Sequence, residues 1–495
     1  MSSKRKSEGT TKDRKQMTEE NISEIEALHF EDVYEDEVEE EEYVVEEEGE
    51  EDDMEMEEKK TMNHLYQPNV DGEAEEMEYD NSAYMLLHRL RVEWPCLSFD
   101  FIKDALGAHR TKLPATAYMI AGTQASEPGK DKLIVMKMSE MHRTRKDRDE
   151  NESSDSDEDS DEDDDLDDDA VADQKSIKHP GAVNRVRSMP QSPQIVASWS
   201  DTGNVFIWDI NAHLRTLGAL PGGSLSATPI NTPIFTFQGH KDEGFAMDFS
   251  PVKPGAFISG DCAKGIYLWQ IENSGKCSVD STPFSGHSKS VEDIQWSPTE
   301  ATVFASCSVD LSVKIWDVRE RKKSMVSIDK SHEEDVNVIS WNKKVPFLLA
   351  SGSDDGSFKV WDLRMVKKGV TPDPVGFFKW HTAPITSLEW HPHDETVIAA
   401  TGADNQVSIW DFGLEDDPEQ AMLAPKLDST VTGSDGKTVE IPPQLLFVHQ
   451  GQIDPKELHF HPQIPGLIGS TAADGFHAFI CEPLDPKGIS NKYIV

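Results

Sequence analysis

Short runs of alternating apolar and polar residues recur along most of the chain after residue 95. Early examples are Cys96–Ile102, Ala115–Thr123 and Leu133–Met138. Turn pairs such as Asp355-Gly356 separate the later runs. Alternation at a period of two residues, bounded by turn residues, is typical of strands that are buried on one face. The pattern therefore predicts an all-β architecture.

A different pattern precedes the first of these runs. Apolar residues there follow the i, i+3, i+4, i+7 spacing of an amphipathic helix: Ala83, Leu86, Leu87 and Leu90. Asp80 or Ser82 can cap the first turn, and Pro95 ends the pattern. We therefore predict a short N-terminal helix within residues 80–94, with its helical part at about 82–92.

From residue 178 onward, a unit of roughly 45 residues repeats. Five His residues are each followed by a Trp 29 positions later: His179 and Trp208, His240 and Trp269, His287 and Trp316, His332 and Trp361, His381 and Trp410. Four of these Trp residues precede an Asp, and every unit contains several strand patterns separated by turns. Such a unit cannot bury its apolar faces alone, so neighbouring units are expected to stack.

The Gly-His and Trp-Asp pairs of these units resemble the WD-repeat family of β-propellers. In that family, a His, a Ser or Thr, an Asp and a Trp form a hydrogen-bonded chain that locks each blade. The resemblance implies three such sets: His287, Ser306, Asp310 and Trp316; His332, Ser351, Asp355 and Trp361; His381, Thr401, Asp404 and Trp410. Metal-binding or catalytic histidines are the alternative. Recurrence with the repeat, instead of clustering, favours the structural role.

The units are not equivalent. Thr202 and Ala263 occupy the Asp position of the first two units, and the last unit ends in Ile480-Cys481 instead of Trp-Asp, so we expect weaker locking there. Six units follow residue 178. The strands between residues 96 and 138 are therefore expected to supply a seventh blade, with one of them closing the ring against the C-terminal blade. The prediction is a seven-bladed WD40 β-propeller over residues 95–495.

Charge divides the chain into an ordinary body and two extreme segments. The sequence holds 93 acidic against 48 basic residues, a net charge of −45. Residues 31–58 contain 19 acids and residues 149–169 contain 15, and neither tract contains a Lys or Arg. Tracts of this composition cannot offset their ordering entropy by burial, so we predict a disordered acidic tail over 1–79 and a disordered acidic loop over 149–176. The charge excludes nucleic-acid binding over most of the surface and favours a basic partner.

Motifs that would indicate catalysis are absent from the sequence: there is no P-loop, G-x-G-x-x-G, H-E-x-x-H or G-x-S-x-G pattern. His391-Pro392-His393 and His459-Phe460-His461 each fall where other repeats have a turn, which favours turn residues over metal ligands. No apolar run approaches the length of a membrane helix, and the start is too polar for a signal peptide. We therefore expect a non-enzymatic protein with no cofactor, no small-molecule ligand and no membrane partner.

Two features beside the predicted ring resemble the histone-binding, retinoblastoma-binding and chromatin-assembly type of WD protein. They are the predicted helix and a long insertion over 412–444. In that subgroup, a helix and an acidic loop ending in Pro-Pro form a groove for a basic partner helix. The resemblance implies three groups of groove residues: Leu86, Leu87 and Leu90; Glu415, Asp416 and Asp417; Pro442 and Pro443. Alternatively, the leucines only pack the helix onto the ring.

A more extensive resemblance, over roughly 75–495, is to a glutamate-rich WD-repeat family of ribosome-biogenesis factors. Segments that carry it include Gly286–Asp293, Asp335–Trp341 and Gln444–Gly451, and the acidic tracts occupy the same places. It implies a protein of the nucleus and nucleolus that escorts a basic large-subunit ribosomal protein, uL3, to pre-ribosomal particles, with histones as further partners. The tracts would screen the partner's charge, or alternatively would serve only solubility.

Two other functions remain open from the sequence. One is a histone chaperone or chromatin-assembly subunit, which uses the same electrostatics with a different partner. The other is a substrate receptor of a cullin-type ubiquitin ligase, because Trp316–Arg319 and Trp361–Arg364 match the W-D-x-R pattern of such receptors.

Overall fold

Seven four-stranded antiparallel sheets form a ring in the computed structural model. The structure describes residues 83–144, 170–220, 230–272, 276–367, 369–414, 430–432, 438–481 and 484. The seven-bladed propeller that the repeats predict is therefore confirmed.

The strands of blades 1 to 4 follow one another in the chain after the first strand, β1 (Tyr84–Leu90). Blade 1 contains β2 (Cys96–Phe101), β3 (Ala115–Thr123), β4 (Lys132–Met141) and β5 (Val171–Lys178). Blade 2 contains β6 (Val183–Ser188), β7 (Ile195–Ser200), β8 (Val205–Asp209) and β9 (Phe235–Phe237), with the helix α1 (Asn211–Leu217) before β9. Blade 3 contains β10 (Ala246–Phe249), β11 (Ala256–Gly260), β12 (Ile266–Ile271) and β13 (Cys277–Val279). Blade 4 contains β14 (Val291–Trp296), β15 (Val303–Ser308), β16 (Val313–Asp317) and β17 (Val326–Ile328).

The remaining three blades complete the ring. Blade 5 contains β18 (Val336–Trp341), β19 (Leu348–Ser353), β20 (Ser357–Asp362) and β21 (Gly376–Lys379). Blade 6 contains β22 (Ile385–Trp390), β23 (Val397–Gly402), β24 (Gln406–Asp411) and β27 (Leu445–His449), and the hairpin β25 (Thr430–Thr432) and β26 (Thr438–Glu440) lies between its last two strands. Blade 7 contains β28 (Glu457–Phe460), β29 (Ile468–Ala472), β30 (Gly475–Cys481) and, as its outer strand, β1.

The first strand of each blade lies at the central channel. Successive first strands contact one another around the ring, from β2 through β6, β10, β14, β18 and β22 to β28 and back to β2. Apolar clusters fill the spaces between neighbouring blades, and seven fully buried Trp side chains are their largest members: Trp199, Trp208, Trp269, Trp316, Trp361, Trp390 and Trp410. This leaves polar side chains of the first strands to line the channel.

The predicted N-terminal helix at 82–92 is wrong, because this segment is the strand β1. It pairs with β30 in antiparallel register, with Leu86 opposite Ile480 and Leu90 opposite Phe476. Tyr84, Met85 and Leu86 are all buried. A short apolar run of this kind fits a helix and a strand equally by its spacing, and the pairing with a partner nearly 400 residues away decides the outcome.

The predicted closing strand was also assigned to the wrong segment. The strands β2, β3 and β4 all stay in blade 1 with β5, and β1 closes the ring against the C-terminal blade. Closure by β1 covers the edge of β30, which removes an unpaired edge from the last blade.

The C-terminal end of the predicted acidic loop needs correction. Residues 171–176 belong to β5, which pairs with β4 from Val171 to Lys178. Most β5 side chains are exposed. An outer strand is held by backbone pairing on one edge, so it does not need the apolar content that the sequence pattern required. The tail at 1–79 and residues 149–169 lie outside the described residues.

Candidate functional site

Blade 4 contains a hydrogen-bonded chain of four side chains. His287 Nε2 lies 2.7 Å from Ser306 Oγ, and His287 Nδ1 lies 3.0 Å from Asp310 Oδ2. The Trp316 indole donates to Ser306 Oγ at 2.8 Å. Burial lowers the pKa of His287, which favours the neutral ring. The chain joins three strands and the preceding loop, so its role is to hold the blade together.

Blade 5 repeats this arrangement. Ser351 Oγ lies 2.8 Å from His332 Nε2 and accepts the Trp361 indole N–H at 2.8 Å. Asp355 lies 3.5 Å from His332 Nδ1, and its carboxylate is bridged to the ring through Ser357.

In blade 6, the expected hydroxyl of Thr401 is the wrong member of the chain. His381 Nε2 lies 2.7 Å from Ser408 Oγ, which also accepts the Trp410 indole N–H at 2.8 Å. Thr401 Oγ1 is buried and has no hydrogen-bond partner. Ser408 lies on the third strand, two residues before Trp410, so its side chain points to the same face of the sheet. Asp404 keeps its expected place, 2.9 Å from His381 Nδ1.

Blade 3 uses an aspartate that the repeat spacing missed. His240 Nδ1 lies 2.8 Å from Asp261 Oδ2, and Nε2 lies 2.8 Å from Ser259 Oγ, which accepts the Trp269 indole N–H at 2.9 Å. Asp261 precedes Ala263 by two positions, so it takes the role expected at that position. The lock in this blade has the same contacts as in blade 4. In blade 2, the carbonyl of Gly181 replaces the carboxylate, 2.7 Å from His179 Nδ1.

Two histidines and a tyrosine join the last blade to β1. His449 Nδ1 lies 2.7 Å from the Tyr84 hydroxyl, and His449 Nε2 lies 2.9 Å from His477 Nδ1. Burial lowers the pKa of His449 well below its usual value and lowers that of His477 to about 4. These uncharged groups therefore form the polar part of the ring closure.

A cavity of about 400 Å³ at one mouth of the central channel is lined by charged residues of both signs: Asp100, Arg185, Arg187, Asp248, Asp293, Lys343, Glu389, Glu457 and His459. Glu457 is nearly inaccessible and pairs with both Arg185 and Arg187. The Arg187 contact is 2.7 Å long. Burial opposes the charged form of Glu457, but the two guanidiniums hold its pKa well below the usual range.

His459 carries this network to blade 6. Its Nδ1 lies 2.9 Å from Glu389 Oε2, and its Nε2 lies 3.5 Å from Glu457 Oε1. Burial opposes a charged ring, but the two carboxylates raise the pKa of His459 to about 9. Lys343 lies 3.1 Å from Glu389 Oε1. The imidazolium is therefore part of an ion network that joins blades 5, 6, 7 and 2.

The same acidic side chains also join neighbouring blades through the backbone. Carboxylates of one first strand accept backbone N–H groups of the next: Phe99 to Glu457 (2.8 Å), Ser188 to Asp100 (2.7 Å), Trp296 to Asp248 (2.7 Å), Ile339 to Asp293 (3.0 Å) and Phe460 to Glu389 (3.2 Å). Sequence reasoning missed this network. The signal that could have found it is the charged residue recurring on the channel-facing side of successive first strands.

The structure does not bring the predicted groove residues together. Leu86 is completely buried, in the core between blades 7 and 1, so it cannot line a groove. Leu87 packs near Leu446 and Phe447, and Leu90 is half-buried. Pro442 lines a separate concavity between blades 5 and 6, and Pro443 is exposed. Glu415, Asp416 and Asp417 lie outside the described residues.

The two His-x-His segments have different roles. His391 Nδ1 accepts backbone N–H groups of His393 and Asp394, and His461 Nδ1 accepts those of Gln463 and Ile464. Both therefore stabilise turns, whereas His459 belongs to the channel network. Within the described ranges, no group of three or more His, Cys, Asp or Glu side chains is arranged to hold a metal ion. In the same part of the chain, no helix is long and apolar enough to cross a membrane.

These features define a class, the WD-repeat propellers. The family model of the WD domain, G-beta repeat, matches residues 278–317, 323–362 and 372–411. A second family model, that of the histone-binding protein RBBP4 and its counterpart in the CAF1 complex, matches residues 74–142, a stretch that includes β1 to β4.

Relatives along most of the chain identify the particular family. "Protein HEAT STRESS TOLERANT DWD 1" of Arabidopsis thaliana is 49% identical and covers 83% of this chain and 90% of its own. "Glutamate-rich WD repeat-containing protein 1" of Dictyostelium discoideum is 45% identical, over 85% of this chain and 86% of its own. "Ribosome assembly protein rrb1" of Schizosaccharomyces pombe is 43% identical, over 82% of both. The chain belongs to the family of glutamate-rich WD-repeat proteins that these relatives represent.

Proposed function

We propose that this protein is a non-catalytic ribosome-assembly factor that binds and protects a basic large-subunit ribosomal protein, uL3, in the nucleus and nucleolus before its delivery to pre-ribosomal particles. The observation that carries the proposal is the 43% identity, over 82% of the chain, to a protein named as a ribosome assembly factor. The acidic tracts at 31–58 and 149–169 support a basic partner.

The division of labour follows from the physics of the two parts. A tract that carries 19 or 15 carboxylates attracts a basic protein over a distance that salt limits to about 8 Å at physiological ionic strength. The ring is held rigid by its hydrogen-bonded chains and its channel network, so it supplies a surface of fixed shape. Capture by the tracts and fit on the ring together would keep the basic protein from binding RNA unspecifically.

Removal of the two tracts tests this proposal. We expect that deletion of residues 31–58 and 149–169 leaves the ring folded and weakens binding of purified uL3, with the largest loss at low salt. Circular dichroism checks the fold, and a binding titration over a salt series measures the affinity. Equal affinities of the two proteins at all salt concentrations would contradict the role of the tracts.

A histone partner is the second candidate, because the match at residues 74–142 is to a histone-binding family. A capture experiment from nuclear lysate at moderate salt separates the two. Enrichment of large-subunit ribosomal proteins supports the first function, and enrichment of histones without them supports the second.

The third candidate, a receptor of a cullin-type ligase, depends on Arg319 and Arg364. Each is exposed, and its Nε donates to the carboxylate of the Trp-Asp pair in its own turn, at 2.8 Å to Asp317 and 2.9 Å to Asp362. Unchanged co-purification of ligase components with Arg319→Ala and Arg364→Ala would contradict this candidate.

A further inference from the structure

The outer edge of blade 5 carries an exposed aromatic residue. Phe377 on β21 is 56% exposed, and the preceding Val375 is 46% exposed. Phe377 is the one aromatic ring among the large apolar side chains that are exposed in the described part of the chain. β21 pairs with β20 on one edge, and no described strand pairs with its other edge. Backbone groups on that edge are available to an extended partner.

Two concavities lie on either side of this strand. The first, of about 750 Å³, faces blade 6 and is lined by apolar and aromatic residues that include Leu348, Trp410, Phe412 and Pro442. The second, of about 530 Å³, faces the loop that enters blade 5 and is lined by Glu333, Glu334, Asp355 and Lys359. Phe377 and Lys379 line both, so β21 forms the ridge between an apolar and an acidic concavity.

The second concavity has an excess of negative charge. Glu333 and Glu334 are exposed. Asp355 stays ionised, because hydrogen bonds from His332 and Ser357 lower its pKa against the effect of burial. Lys359 is turned inward, where its Nζ donates to the carbonyl of Ser331 at 2.7 Å and lies 5.5 Å from the centre of the Phe377 ring. Lys379 is then the one basic group on this wall that faces solvent.

We propose that the edge of β21 binds an extended segment of a basic partner as a fifth strand of blade 5. Successive side chains of a strand point to opposite faces of a sheet. A segment paired with β21 would therefore place every second side chain in the apolar concavity and the others in the acidic one. The segment that fits alternates Leu, Val or Phe with Lys or Arg. This inference rests on the proposed function, because it assigns the surface on which the basic partner docks.

Two peptides of identical composition test the alternation, with the full-length chain as receptor. One has twelve residues alternating Arg and Val, and the other has six Arg followed by six Val. Fluorescence anisotropy measures both affinities at physiological salt. We expect the alternating peptide to bind at least about tenfold more tightly, because only it fits both concavities at once. Equal affinities, or no binding of either peptide, would overturn the proposal.

Substitutions on the two sides of β21 locate the site. Phe377→Ser should weaken the alternating peptide about tenfold, because the exposed ring anchors it. Glu333→Lys combined with Glu334→Lys should weaken it to a similar degree and reduce the dependence of affinity on salt. Met325→Ser is the matched control, since Met325 is 58% exposed and lies outside both concavities. A loss caused equally by the control, or by none of the variants, would contradict the assigned surface.

Purified uL3 separates this inference from the function on which it rests. If the unmodified chain and Phe377→Ser bind uL3 equally, the docking surface is wrong and the proposed function stands. If the unmodified chain does not bind uL3, the proposed function is wrong whatever the peptides do. Loss of uL3 binding in Phe377→Ser, with binding retained in Met325→Ser, supports both.

Discussion

Ser408 and Thr401 lie on neighbouring strands of blade 6, and only one of their hydroxyl groups completes the hydrogen-bonded chain. His381 and Trp410 both contact Ser408, while Thr401 Oγ1 has no partner. The repeat spacing correctly located the His, the Asp and the Trp, because they occupy fixed places in each unit. It did not locate the hydroxyl, since either of two adjacent strands can present one to the same histidine.

Ser408→Ala is therefore expected to destabilise the ring by about 1–3 kcal/mol, because it leaves two buried polar nitrogens unpaired. Thr401→Val removes a buried hydroxyl that has no partner and keeps the side-chain shape, so we expect a change of about 0.5 kcal/mol or less. Urea unfolding, followed by tryptophan fluorescence, measures both free energies. The assignment would be refuted by equal costs for the two variants.

His459 makes a separate contribution at alkaline pH. Its folded-state pKa is raised to about 9 from 6.5, so the stabilising charge is present below pH 6.5 and is lost as the pH rises through 9. We expect the free energy of unfolding to fall over this window by up to about 3 kcal/mol from this group. His459→Gln cannot titrate, and the difference between the two stability curves over pH 6.5–9 should have this slope. Parallel curves would contradict the network.

Among the elements, β1 shows where local pattern stops being informative. Ala83, Leu86, Leu87 and Leu90 have helical spacing, yet Tyr84, Met85 and Leu86 are buried one after another against β30 and its neighbours. The three strands of blade 1 between 96 and 141 were predicted with nearly correct bounds, because their alternation and their pairing agree. The partner of β1 lies at the other end of the sequence, and no local signal records it.

Loss of β1 should open the last blade. A variant that lacks residues 1–94 has no outer strand in blade 7, whereas one that lacks 1–79 retains it. We expect the first to be less stable by several kcal/mol, at about 1.5–3 kcal/mol for each large apolar side chain removed from the core. Its uncovered edge should also promote aggregation. Thermal unfolding with light scattering compares the two, and equal midpoints would argue against closure by β1.

At the scale of the whole molecule, buried neutral histidines are distributed around the ring. Burial lowers the pKa of His179 to about 4, that of His461 to about 3 and that of His477 to about 4. The unfolded chain therefore binds protons below pH 6.5 that the folded ring does not bind until much lower pH.

The ring should consequently lose stability as the pH falls from 6.5 towards 4, by about 1.4 kcal/mol per pH unit for each of these groups. Urea unfolding at pH 7, 6 and 5 measures this loss. His179→Asn removes one of the titrating groups, so its curve should be flatter than that of the unmodified protein. Stability that does not change between pH 7 and 5 would show that the histidines are protonated in the folded ring.

The pairing of β1 with β30 also imposes an order in time. During translation, Tyr84–Leu90 is made nearly 400 residues before Gly475–Cys481, with which it pairs. Six blades can assemble from their own consecutive strands while the seventh waits. The last blade of the nascent polypeptide cannot be finished until residue 481 has left the exit tunnel, and throughout that interval its earliest strand must be kept from wrong partners.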